Sequence, residues 1–170
     1  TEIVWDTKTN NHNGMIDRSP GVILRAASAD DVAAGIGFAR SHDVPLAIRG
    51  GGHSAPGLGT IDDGVVIDLA PLSAVNVDAA GRTVAVGGGA TLTQVDAATA
   101  EVGMATPLGI LGTTGVGGLT LGGGIGHLAR KHGLTIDNLL GADVVLADGS
   151  KVTASPDENA DLFWALRGGG

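Results

Sequence analysis

Residues 109–126 read GILGTTGVGGLTLGGGIG, and nine of these eighteen residues are glycine. Two smaller glycine clusters lie at 50–52 and 87–89, and the whole chain has 30 glycines in 170 residues. Each glycine in a helix or strand costs roughly 0.5–1 kcal/mol relative to alanine. A folded chain with this many glycines is therefore expected to need close approach of its backbone to something else.

The position of the clusters indicates which kind of ligand the backbone approaches. Each lies directly after a predicted strand or before a predicted helix, where successive backbone N–H groups form an anion-binding concavity. A diphosphate is the ligand that this pattern favours. The alternative for any one cluster is a tight turn between packed strands. That alternative explains 109–126 poorly, because threonines at 113, 114 and 120 are interleaved with the glycines.

Composition limits the class of protein. Hydrophobic residues make up 43% of the chain in short runs, which is typical of a folded α/β or α+β protein. No apolar run approaches the ~20 residues of a membrane span. The net charge of −8 argues against a nucleic-acid partner or a membrane surface. No leader pattern is visible, so a cytoplasmic location is the default expectation, with secretion left open.

Hydrophobic period and capping residues predict alternating strands and helices. A helix over 29–41 is capped by Ser28, a second opens at Thr91, and a third begins at Ser155 with a proline and an acidic turn behind it. A short helix over 128–132 ends at Gly133. Strands are predicted at 22–24, 45–49, 65–69, 82–86, 142–147 and 151–153.

A composition shift near 76–81 predicts two lobes, about 1–78 and 79–170. The chain stops on three glycines, 168–170, which have no side chains to dock against a core. This ending predicts that the sequence is cut inside a longer protein.

Other site classes are disfavoured. Residues 124–129 (GIGHLA) fit the dinucleotide fingerprint, but they follow a glycine run instead of a strand, so a Rossmann domain is not expected. The chain has no P-loop motif and no cysteine. His127 and His132 are five residues apart and have no carboxylate companion, so no metal site is predicted. His12 and His42 are interpreted as solvent-facing.

Four segments occur together: RGGGHS (49–54), TGVGGLTLGGG (114–124), GLTIDN (133–138) and DLFWALRGGG (161–170). In this order they resemble the berberine-bridge-enzyme-like FAD-linked oxidases. The resemblance implies an α+β fold, a vanillyl-alcohol-oxidase-type (PCMH-type) FAD-binding domain in which FAD lies between two α/β lobes. It covers the chain from about residue 22 to its last residue.

The resemblance also implies residue roles. His53 matches the histidine that carries the 8α bond to the flavin, the loop around it wraps the pyrophosphate, and Asn138 lies near the adenosine half. Arg49 is placed to offset the diphosphate charge, with a solvent-facing position as the alternative. The implied cofactor-binding residues are Arg49, Gly50, Gly51, Gly52, His53, Ser54, Gly57, Leu58, Thr113, Thr114, Gly115, Gly117, Gly118, Leu119, Thr120, Gly122, Gly123, Gly124 and Asn138.

One departure from the family changes the expected linkage. Many relatives have a cysteine shortly before the second glycine motif and bind flavin through two bonds. Here residues 110–113 are ILGT and the chain has no cysteine, so attachment through histidine alone is expected. Bond formation needs a neutral imidazole, and a histidine of ordinary pKa, ~6.5, is largely neutral at pH 7. The fourth motif also lacks its Asn-Phe-Gly continuation.

The function implied is oxidation of an alcohol, sugar or amine by hydride transfer to FAD, with oxygen as the expected electron acceptor. In relatives the substrate pocket and its base lie in a later domain, so no catalytic residue is assigned. Two alternatives stay open. One is a non-covalent FAD dehydrogenase or reductase of the same fold, in which His53 is an ordinary loop residue. The other is a non-enzymatic, glycine-rich module for another phosphate ligand. The sequence does not indicate an oligomeric state.

Overall fold

Strand β4 (Val65–Asp68) lies inside the first sheet, and all four of its residues are buried. It runs parallel to both neighbours, β2 (Val22–Arg25) and β3 (Leu46–Arg49), and β1 (Glu2–Val4) pairs antiparallel with β2. The strand order is β1-β2-β4-β3. The computed structural model describes residues 2–4, by their backbone alone, and 11–169. The start of the chain around 5–10, and Gly170 of the fourth motif, lie outside the described residues.

The sheet is covered on both faces. Helix α1 (Ala29–Ser41) packs Val32 and Ile36 against Val65 and Ile67, whereas Val66 faces the opposite side. Successive strand residues point to opposite faces, so a strand covered on both sides needs an apolar residue at nearly every position. This requirement explains the unbroken Val-Val-Ile run.

Helix α1 begins where the sequence predicts. The hydroxyl oxygen of Ser28 accepts the backbone N–H of Asp31 at 3.1 Å, which satisfies one of the free donors of the first turn. Asp30 and Asp31 add negative charge at the same end, where the helix dipole favours it.

Two glycines of α1 should respond oppositely to substitution by alanine. A Cβ on Gly35 would lie 2.6 Å from Leu24 Cδ2 and 2.8 Å from Ile67 Cδ1, whereas nothing lies within 4 Å of one on Gly37. Gly35→Ala should lower the free energy of unfolding by about 1 kcal/mol through overpacking. Gly37→Ala should raise it by about 0.5–1 kcal/mol through helix propensity. Urea unfolding of both variants measures the difference, and equal shifts would contradict the packing of α1 on the sheet.

The second half of the chain is built on a hairpin. Strands β5 (Val75–Asp78) and β6 (Thr83–Val86) pair antiparallel. Helix α2 (Leu92–Ala100) follows, and its Leu92 and Val95 form a core with partly buried Val75 and Val86. The backbone N–H of Thr91 donates to Gln94 Oε1 at 2.8 Å, in line with the predicted capping spacing.

The glycine-rich region and the last third complete the fold. Helices α3 (Val116–Leu121) and α4 (Ala129–His132) are followed by a 3₁₀ turn (Thr135–Asn138). Strands β7 (Ala142–Val145) and β8 (Lys151–Ala154) form an antiparallel hairpin, and α5 (Ala160–Leu166) comes last. No helix in the described part of the chain is long and apolar enough to cross a membrane.

The predicted start of the last helix is wrong. The hydroxyl of Ser155 accepts the N–H groups of Asp157 (3.2 Å) and Glu158 (3.0 Å), and these bonds close a local turn. The helix begins five residues later, at Ala160, after Asn159 adopts a φ of 49°. A serine with this spacing can cap a helix or close a turn, and here the turn is formed.

Strands β1 and β5 and helix α3 were not predicted. The turn of the β5–β6 hairpin, at 79–82, coincides with the predicted boundary between lobes of about 1–78 and 79–170. Because β5 and β6 pair across that boundary, the hairpin joins the two sides. The division into lobes stays a prediction.

Candidate functional site

The three glycine clusters converge. A Cβ on Gly51 would overlap the backbone of Gly115, and a Cβ on Gly115 would overlap the backbone of Gly51. A Cβ on Gly117 would lie 3.1 Å from the carbonyl oxygen of Gly88, and one on Gly50 would lie 3.6 Å from that oxygen. The end of β3, the loop after β6 and the start of α3 therefore meet at one place. At the Gly51–Gly115 contact no other residue fits without movement of the backbone.

This meeting point has free hydrogen-bond donors. Among the described residues, the backbone N–H groups of Gly51, Gly52 and His53 donate to no protein acceptor. Gly52 has a φ of 71°, the left-handed conformation that turns successive N–H groups to one side in an anion-binding concavity. The N–H groups of Gly117 and Gly118 belong to the first turn of α3, where helical partners are absent. Such a set of donors suits a diphosphate.

His53 lies at the edge of this concavity, in contact with the two threonines in the first part of the third glycine cluster (109–126). Its Nε2 is 3.0 Å from the Thr113 hydroxyl oxygen, and its Nδ1 is 3.4 Å from that of Thr114. The imidazole is half-buried. His53 thus connects the predicted cofactor-binding segment that begins at Arg49 with the one that begins at Thr113. Each of its two ring nitrogens faces a threonine hydroxyl.

A second histidine lies against His53. The rings of His12 and His53 are stacked, with centroids 4.2 Å apart and planes 16° from parallel. His12 is exposed, as the sequence analysis predicted, but its contact with His53 was not foreseen. Burial, and secondarily the charge of His12, lower the pKa of His53 below its ordinary value. The lowered pKa favours the neutral form of His53, in which a ring nitrogen offers a lone pair.

The segment 11–18 holds the loop that carries His53. The backbone N–H of His12 donates to Gly52 O at 2.9 Å, and Asn13 Nδ2 donates to Ala55 O at 2.9 Å. Arg18 Nη1 donates to the carbonyl oxygens of Gly57 (3.1 Å) and Thr60 (2.8 Å). No role was predicted for this segment, because these contacts join residues about forty positions apart and leave no local pattern in the sequence.

Other predicted residues shape the first loop from within. Arg49 is 17% exposed, and its Nη1 lies 3.4 Å from Asp68 Oδ1, so it is not the solvent-facing residue of the alternative interpretation. Ser54 Oγ accepts the N–H of Leu58 at 3.0 Å and closes the turn. Gly57 is buried with a φ of 77°, whereas the Leu58 side chain is 73% exposed. Arg49 and Ser54 therefore have structural partners within the chain.

The second predicted run includes residues that face the interior. The Leu119 side chain packs against the core around Leu92, and Thr120 is buried. Gly124 has a φ of 75°, and a Cβ there would overlap the Thr135 side chain. Gly122 and Gly123 end α3. A ligand bound at this run would contact the start of α3 and nearby backbone groups. The remaining residues of the run pack against the interior and hold the start of α3 in place.

The GLTIDN segment is a self-closed loop. Asn138 Nδ2 donates to His132 O (3.0 Å) and Leu134 O (2.8 Å), and the N–H of Leu134 donates to Asp137 Oδ2 at 2.8 Å. Asp137 also pairs with Arg167 at 3.6 Å. The structure thus gives Asn138 a loop-closing role, and its nearness to an adenosine group stays a prediction.

Known proteins that are similar to this chain are FAD-linked oxidases. A family described as "FAD binding domain" matches residues 20–155. The chain is 37% identical over 166 residues to (R)-6-hydroxynicotine oxidase of Paenarthrobacter nicotinovorans. That alignment covers 98% of this chain and 36% of the relative.

Solved structures agree with this match. The glucooligosaccharide oxidase of Acremonium strictum, described with a 6-S-cysteinyl, 8α-N1-histidyl FAD, superposes with a TM-score of 0.91 at 40% identity, over 98% of this chain and 35% of that one. The BBE-like 1 protein of Physcomitrella patens superposes with a TM-score of 0.89 at 33% identity, over 93% and 35%.

The chain spans about a third of the length of each of these proteins. The glycine cradle, its free donors and the neutral histidine at its edge all fit FAD. The chain belongs to the FAD-binding-domain family, with the PCMH-type fold of the vanillyl-alcohol-oxidase and berberine-bridge-enzyme-like flavoproteins.

Proposed function

We propose that this chain is the FAD-binding part of an oxidase whose flavin is bonded covalently to His53. The enzyme oxidises an alcohol, sugar or amine by hydride transfer, and oxygen reoxidises the flavin. The observation that carries the proposal is the placement of His53. The half-buried His53 lies where the loop after β3 meets Thr113 and Thr114, beside backbone N–H groups that have no protein acceptor among the described residues. Its lowered pKa favours the neutral imidazole. The histidyl FAD of the Acremonium strictum enzyme supports the same assignment.

Each part of the site has a distinct task. The N–H groups of 51–53 and of the start of α3 bind the diphosphate, and the glycines admit it by leaving no Cβ in its way. Thr113 and Thr114 orient the His53 ring, and a ring nitrogen of His53 supplies the lone pair for the bond. Bound flavin supplies the hydride acceptor, and a bond at its 8α carbon withdraws electrons and raises its potential. The protein contributes binding, orientation and electrostatics.

The linkage is to histidine alone. The Acremonium strictum enzyme is described with a cysteinyl bond besides the histidyl bond. This chain contains no cysteine, and Leu111 and Gly112 precede the two threonines. A single histidyl bond is therefore the whole attachment that these residues can provide. We expect the residues that bind the small-molecule substrate, and the base that accepts its proton, to lie outside this chain.

Turnover with oxygen tests the proposed activity. The full-length protein, purified aerobically, is mixed without oxygen with panels of primary alcohols, oligosaccharides and cyclic amines, while flavin absorbance is recorded. One class should bleach the flavin, and admission of oxygen should restore the absorbance with one hydrogen peroxide per product.

Three other results contradict the proposal in different ways. Bleaching that oxygen does not reverse, but an artificial electron acceptor does, indicates a dehydrogenase of the same fold. If no panel of compounds reduces the flavin, the proposed substrate classes are wrong. A protein without flavin under any condition indicates a module for another phosphate ligand.

A further inference from the structure

We propose that His12 is a positioning residue that holds the His53 imidazole ready to form its bond with flavin. The inference rests on the proposed covalent linkage. It is carried by the stacked geometry, with centroids 4.2 Å apart and planes 16° from parallel, between an exposed residue and the loop histidine.

Contacts on His53 come from three directions. The Thr113 and Thr114 hydroxyls lie at its two ring nitrogens, and His12 covers one face of the ring. A hydroxyl contact alone permits the imidazole to tilt about the line through its nitrogens. A flat ring on its face opposes that tilt. The three contacts together therefore leave the imidazole close to one orientation.

His12 is itself fixed. Its backbone N–H donates to Gly52 O at 2.9 Å, so the two histidines are tied through the residue that precedes His53. Asn13 and Arg18 tie the same segment to the loop at Ala55, Gly57 and Thr60. The His12 ring is thus presented to His53 by a segment with several hydrogen bonds to the loop that it supports.

Orientation matters because the bond is formed in one defined direction. The new C–N bond replaces one C–H of the 8-methyl group and the N–H of the imidazole; the two protons and the electron pair pass to the flavin, and oxygen reoxidises it. The attacking lone pair lies in the imidazole plane, so a tilt of the ring moves it away from the methyl carbon. Well-oriented reactants can gain several orders of magnitude in rate.

The test is the rate of flavin attachment. Apoprotein of the full-length chain, produced in riboflavin-depleted cells, is mixed with FAD and sampled over time into acid. Intact mass then gives the covalent fraction, and absorbance of the desalted native sample gives total FAD. His12→Ala should slow covalent attachment about three- to tenfold, the range that an aromatic pair supplies. Total FAD bound should be unchanged.

Two further variants make the result specific. His12→Phe keeps a flat ring and should attach flavin within about twofold of the wild-type rate. His42→Ala removes a matched exposed histidine, which stacks on Phe38 with centroids also 4.2 Å apart but lies at the C-terminal end of α1, directly after Ser41. It should attach flavin at the wild-type rate.

Several outcomes overturn the inference. A wild-type rate in His12→Ala, or a His12→Phe as slow as His12→Ala, means that the stacked ring does not position His53. Equal loss of total and covalent FAD in His12→Ala means that His12 maintains the loop itself. If the wild-type protein binds FAD but never covalently, the proposed linkage fails and this inference fails with it.

Discussion

After denaturation in acid, the full-length protein should be heavier than its polypeptide by one FAD, and His53→Ala should lose that excess completely. His53 is half-buried, and both of its ring nitrogens contact threonine hydroxyls where the glycine loops meet. Its lowered pKa favours the neutral imidazole that the bond requires. The chain contains no cysteine and no tyrosine that could replace it. Intact-mass spectrometry measures the excess, and peptide mapping assigns the flavin to the peptide that contains His53.

His127→Ala provides the matched control, because His127 is an exposed histidine directly after the third glycine cluster. It should keep the full mass excess. Covalent flavin retained in His53→Ala would contradict the assignment of His53 as the attachment site. A wild-type protein that releases yellow flavin on denaturation would keep the fold but remove the bond.

Gly51→Ala should abolish FAD binding and lower the free energy of unfolding by about 3 kcal/mol, at the upper end of the overpacking range. The new Cβ would meet the backbone nitrogen and Cα of Gly115. Backbone cannot turn aside as a side chain can, so the loops after β3 and before α3 must separate. Separation spreads the N–H donors that bind the diphosphate. Quenching of FAD fluorescence measures the binding, and urea unfolding of the FAD-free protein measures the stability.

The control is Gly37→Ala, at an exposed helical glycine with open space around it. It should bind FAD like the wild type. Retention of FAD affinity by Gly51→Ala would mean that the two glycine loops do not need their close contact, and the geometry of the proposed site would have to be revised.

The parts of this fold that sequence predicts well are those with local causes. Helix α1 has a serine cap, acidic residues in its first turn and apolar residues at helical spacing, and it is found over the predicted residues. Strand β4 begins with three consecutive apolar residues after a turn. The glycine clusters stand out because glycine lowers the stability of helices and strands, and His53 stands out because it directly follows one of these clusters. That these segments come together in space was predicted only through the resemblance to a known family.

The parts that were missed depend on distant contacts. Helix α3 contains two glycines in six residues, so its intrinsic propensity is poor, and it forms where Val116 and Leu119 pack on the core of α2. The short strand β5 is specified by its pairing with β6. The stacking of His12 on His53 joins residues that no local period connects. At Ser155 the same sequence pattern suits a cap and a turn, and only the surroundings decide between them.

The backbone contact between Gly51 and Gly115 also fixes when the protein can acquire its cofactor. Synthesis proceeds from the N-terminus, so the loop that carries His53 leaves the ribosome well before its glycine partner exists. During that interval one wall of the diphosphate site is missing. A complete diphosphate site therefore exists only after α3 has emerged and docked, and on the proposed function covalent attachment follows that docking.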